Sequence, residues 1–107
     1  MAKAYFLHLG FRFRAELNRA DLEGILDKAL SWYRYAPNNY VLYTTNSAEV
    51  WYRRLRPHIA DGDSMFICAL DTHNHQGWMS KNFWEWLEQH DAEQYVAEKE
   101  RLPDPAS

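Results

Sequence analysis

Residues 31–45, "SWYRYAPNNYVLYTT", decide the fold. Aromatic and β-branched residues suit pleated strands, and they flank Pro37-Asn38-Asn39, whose residue types supply turn geometry. The stretch therefore reads as strand, turn, strand. Upstream, residues 4–13, "AYFLHLGFRF", alternate. Tyr5, Leu7, Leu9, Phe11 and Phe13 fall on one side, and Phe6, His8, Gly10 and Arg12 on the other. A period of two predicts a strand with one face in the core. Between these strands Leu22, Ile25, Leu26, Ala29 and Leu30 recur at helical spacing as one apolar stripe. Asn18 is the expected N-cap, with Asp21 three residues on and Leu17 and Leu22 placed as a staple. Gly24 within that helix costs about 1 kcal/mol against alanine, which a packed face overrides.

Downstream, Asn46 is expected to cap a second helix with Glu49 at the capping-box position. Ala48, Trp51, Leu55 and Ile59 share its apolar face, while Arg53, Arg54 and Arg56 project away as a solvated face. Pro57 limits its length. "DGD" at 61–63 signals a turn, and "SMFICAL" at 64–70 a short apolar strand. Ser80 is the expected cap of a C-terminal helix. The order strand, helix, strand, strand, helix, strand predicts an α+β chain. It fits a ferredoxin-like βαββαβ antiparallel sheet with two helices on one face, plus the C-terminal helix.

A chain of 107 residues, 47% hydrophobic and 16% aromatic, suffices for one domain with a single core, expected over 1–100 with a frayed tail at 101–107. No apolar run approaches the ~20 residues of a membrane span. The N-terminal apolar stretch is broken by aromatics and His8 and lacks a small-residue cleavage site, so it reads as a strand rather than a leader. Cys68 is the single cysteine and five tryptophans accompany it, which suits a cytoplasmic protein without disulfides. Cys68 itself is expected as an inert core thiol. The net charge of −3 argues against a surface that seeks nucleic acid everywhere.

"WYRRLRPHIADGDSMFICAL" (51–70) followed by "GWMSKNFWEWL" (77–87) resembles the SinR-like proteins over roughly residues 40–88. These are small ferredoxin-like domains related in fold to the CRISPR-associated adaptation subunit and the VapD-type endoribonucleases. The resemblance implies that fold and a habit of pairing into dimers. Relatives with proposed nuclease activity carry an aspartate at the end of the first strand to hold a divalent metal. Gly10 stands in its place here, and glycine offers no side-chain oxygen to Mg²⁺. The expectation is a chain without an intact metal-dependent nuclease site, with no catalytic residue, metal ligand or cofactor assigned.

The sheet face away from the two helices is expected to be open. The first strand offers it Phe6, His8, Arg12 and Arg14, and neighbouring strands add tyrosines together with Trp32 and Arg34 on alternate faces. Rings interleaved with guanidinium groups suit a homodimer interface, through Phe6, Trp32, Trp84 and Trp86. They also suit a platform for RNA or DNA, through His8, Arg12, Arg14 and Arg34. The acidic net charge favours the dimer. In the last helix Phe83, Leu87 and His90 form one stripe, with Trp84 and Trp86 about 200° apart on its flanks. One of these rings is expected to pack on the sheet edge and the other to meet a second subunit, with Trp78 closing the core. His73 and His75 read as solvated loop residues, and Asp61, Asp63 and Asp71 do not converge. The expected function is a homodimeric interaction or scaffold module, with nucleic-acid binding or a residual endoribonuclease as the alternative.

Overall fold

The computed structural model describes residues 3–14 and 19–101, of which 92–101 as backbone only. The expected Asn18 cap, its Leu17 staple partner and the tail beyond Arg101 lie outside the described residues. The chain forms β1 (Tyr5–Arg12), α1 (Arg19–Leu26), β2 (Ser31–Ala36), β3 (Asn39–Thr44), α2 (Ala48–Leu55), β4 (Ser64–Ala69) and α3 (Lys81–Arg101). It is an α+β arrangement built on one four-stranded sheet ordered β2-β3-β1-β4, with every neighbouring pair antiparallel. Among the described residues no helix is long and apolar enough to cross a membrane.

Alternation in β1 divides the core in two. Leu7, Leu9 and Phe11 point to a first face, where Tyr40 and Leu42 of β3 meet Leu22 and Leu26 of α1 and Trp51 and Leu55 of α2. Fully burying each aliphatic or Phe side chain contributes about 1.5–3 kcal/mol, so this cluster dominates the stability of the fold. Trp51 anchors α2. Its indole N–H donates to Thr44 Oγ1 at 3.1 Å, and the Arg54 guanidinium lies 4.8 Å above its ring. Tyr40 is buried beside them, and its hydroxyl receives a hydrogen bond from Arg19 and donates to Glu23.

The second face is not open as expected. Phe6, Val41 and Tyr43 pack there against Phe83 and Leu87, so α3 lies across this face of the sheet, opposite α1 and α2. Phe6 is 1% exposed and unavailable to a partner. The physical reason is β3, whose run Tyr40–Thr44 is buried at every position. A strand with no polar face needs cover on both sides of its sheet.

Local departures have local causes. α1 stops at Leu26, so Leu30 leaves the expected stripe, is 63% exposed, and gives its N–H to Tyr43 O. Ser47, not Asn46, caps α2, its Oγ accepting from Val50 N–H. Asn46 is occupied elsewhere, its N–H bonded to Thr44 Oγ1 and its amide oxygen to Arg54. Pro57 sits in a 3₁₀ turn, Arg56–His58, that ends the helix. The turn at 61–63 forms as the sequence indicates, with Gly62 at φ 89°, a conformation that side chains resist. Asp63 accepts from the backbone N–H groups of Arg14 and Ala60, which ties the end of β1 to the start of β4 and holds its carboxyl below the ordinary aspartate range.

Candidate functional site

α3 covers only part of the second face. Beyond Phe6 and Tyr43, strand register places His8 beside Val41 and Cys68, and Gly10 beside Asn39 and Phe66. Between this uncovered part, α3 and the segment joining β4 to α3 lies a cleft of about 320 Å³. His8 and Tyr35 stand on its sheet side, Phe83, Trp84 and Leu87 on its helix side, and residues 70–72, 74–77 and 79 along the joining segment. Side-chain bonds hold that segment in place. Thr72 Oγ1 donates to Asp91 at 2.9 Å, His73 N–H donates to Asp71, and the His75 ring stacks on Trp84 with centroids 5.7 Å apart.

His8 Nε2 and the Tyr35 hydroxyl are hydrogen-bonded at 2.5 Å. Burial lowers the His8 pKa, and burial, then the nearby Cys68, raises that of Tyr35. Both shifts favour uncharged forms near neutral pH, so the pair presents neutral donor and acceptor groups to the cleft. Cys68 is partly buried across from His8, not the fully buried core thiol expected. The strand it occupies is a sheet edge, with a neighbouring strand on one side only.

The predicted nucleic-acid set divides. His8 and Arg12 share the second face, with Arg12 opposite Ser64 at the end of β1. Arg14 lies beyond the strand, its N–H given to Asp63. Arg34 belongs to the first face, in register with Tyr40 and 3.8 Å from Glu23, because the alternation of β2 turns it away from His8. The predicted interface set is also engaged within the chain. Trp32 packs on Tyr40 and donates to Asp27. Trp86 contacts Phe6 and Tyr33 and donates to Ser31 Oγ at 2.9 Å. Trp84 meets Phe83 and His75, so both flanking rings find cover in their own chain. Trp78, expected to close the core, is instead 100% exposed.

Arg53, Arg54 and Arg56 do not form a free basic patch. They bond to Glu49, Asn46 and Ile59 O respectively. Among the described residues no three His, Cys, Asp or Glu side chains gather as a metal-holding group. Sequence reasoning missed Tyr35 and Phe66. Tyr35 follows Tyr33 at strand spacing, which was the available signal, although a register shift between Arg34 and Ala36 loosens that alternation. Phe66 becomes conspicuous only through its register with Gly10. Compared with known families, with curated proteins and with solved structures, the chain matches none.

Proposed function

We propose that the chain is a SinR-like domain of the ferredoxin-like class and works as a homodimeric interaction module joined through the β4 edge. The strand order β4-β1-β3-β2, with one helix between β1 and β2 and another between β3 and β4, supports the fold assignment. The dimer rests on one observation. β4 pairs on one side only, with β1, carries no charge or proline in "SMFICA", and leaves Phe66 67% exposed. Sheet edges are ordinarily guarded by charge, proline or a bulge. The opposite edge, β2, carries Arg34 and runs into Pro37. An unguarded apolar edge suits antiparallel pairing with a second copy about a twofold axis, which continues the sheet across two subunits. A metal-dependent nuclease step has no part in the proposal, because Gly10 brings no ligand.

Sedimentation velocity tests the reading. The native chain is expected at twice its 12.8 kDa mass, and Phe66→Lys at the monomer mass with an unchanged circular dichroism spectrum. A native chain that stays monomeric at every concentration overturns it. Phe66, His8 and Arg12 share one face, and this supports binding of single-stranded RNA as a second reading, with bases stacked on the rings and phosphates on the guanidinium. Salt-sensitive RNA binding lost in Arg12→Ala would establish that reading in place of the first.

A further inference from the structure

We propose that the cleft between β1, α3 and the β4–α3 segment binds a neutral two-ring aromatic small molecule whose single polar end bonds to the His8–Tyr35 pair. The volume sets the size of the occupant. At about 320 Å³ the cleft is roughly twice the ~150 Å³ apolar cavity that takes up benzene. The walls set its character. Phe83 and Trp84 supply aromatic surface, Leu70, Met79 and Leu87 aliphatic and thioether surface, a lining that favours a flat apolar body.

Charge disfavours the other classes of ligand. Among the described residues no lysine or arginine lines the cleft, and its single carboxylate is Asp71. An anion would meet that carboxylate with no lysine or arginine beside it to offset the charge, and burial disfavours the protonated form of His8. For a cation, Asp71 is a lone carboxylate with one oxygen already accepting the His73 N–H, set in a lining that is mostly apolar. The His8–Tyr35 hydrogen bond therefore supplies the polar recognition, offering both donor and acceptor capacity to a hydroxyl or ring N–H. The wall is held before any ligand arrives, by the Thr72–Asp91 bond and by His75 on Trp84, which limits the ordering cost of binding.

Titration calorimetry at pH 7 with 2-naphthol and 2-naphthoate tests the site. Saturable one-to-one binding of 2-naphthol is expected, with 2-naphthoate about tenfold weaker. Leu70→Trp, which fills the cleft from a partly exposed position, is expected to weaken 2-naphthol about tenfold or more. Tyr35→Phe keeps the ring and removes the hydroxyl, and is expected to weaken it about fivefold, the worth of one neutral hydrogen bond. It serves as the deciding variant should Leu70→Trp fail to fold. The proposal is overturned by an absence of saturable binding, by naphthoate binding as tightly as naphthol, or by variants that bind like the native chain. Each outcome is read per chain, at a protein concentration held fixed across the native chain and its variants.

Discussion

Replacing Trp86 by alanine measures directly whether α3 is docked on the second face of the sheet. The ring lies within 5.8 Å of Phe6 and 5.7 Å of Tyr33, and its indole N–H donates to Ser31 Oγ at 2.9 Å. Truncating a fully buried Trp costs about 3–5 kcal/mol, and this half-buried ring accounts for roughly half of that, about 2 kcal/mol. Losing the hydrogen bond adds about 0.5–1 kcal/mol, since Ser31 retains access to water. The expected total is about 2.5–3 kcal/mol, which lowers the melting temperature by roughly 10–20 °C for a domain of this size. Urea denaturation followed by circular dichroism at one fixed protein concentration gives the number. Trp86→Phe keeps the ring contacts and is expected to cost only about 1 kcal/mol. A loss below about 0.5 kcal/mol in Trp86→Ala, the range of ordinary surface positions, would refute the docking of α3.

Three further outcomes follow from local geometry. Burial places the His8 pKa below the ordinary histidine value, so the unfolded chain binds more protons just below pH ~6.5. The stability this contributes is complete above that pH and is lost as pH falls from there through the lower folded-state value. Urea melts at pH 7.5 and 5 are expected to show a smaller drop in His8→Gln than in the native chain. Ser47→Ala removes the acceptor for Val50 N–H and is expected to destabilise by about 1 kcal/mol in the same melts. Gly62→Ala forces a side chain to φ 89° and is expected to cost about 1–2 kcal/mol, with the Arg14 side chain displaced from the space it occupies.

Much of this architecture was legible in the residues. The alternation of β1, the Pro37–Asn39 turn, the Trp51–Leu55 face of α2 and the "DGD" turn are local signals, and local sterics and burial decide them. The placement of α3 was not legible. A helical stripe of Phe83 and Leu87 states that one face is buried, but not which surface buries it. The second face of β1 offers only Phe6 as a large apolar residue and so looks solvated by itself. The signal lay in β3, where Tyr40 to Tyr43 leave no polar side. Asn46 and Ser47 are both competent caps, and the sequence does not show that Asn46 is engaged instead by Thr44 and by Arg54 at the far end of the same helix. Of the cleft, His8 could be singled out from sequence. Tyr35 had only its strand spacing from Tyr33 as a signal, loosened by the register shift beside it, the joining segment entered through tertiary packing, and Arg34 was lost to the other face by parity.

Hydrogen–deuterium exchange at several protein concentrations tests most directly whether β4 is the surface on which two chains meet. Edge amides gain partners only when a second strand pairs with them. Exchange in Ser64–Ala69 is expected to slow as concentration rises, while α1, on the first face, keeps a constant rate. Exchange in β4 that stays fast and unchanged from dilute to concentrated solution would contradict the interface.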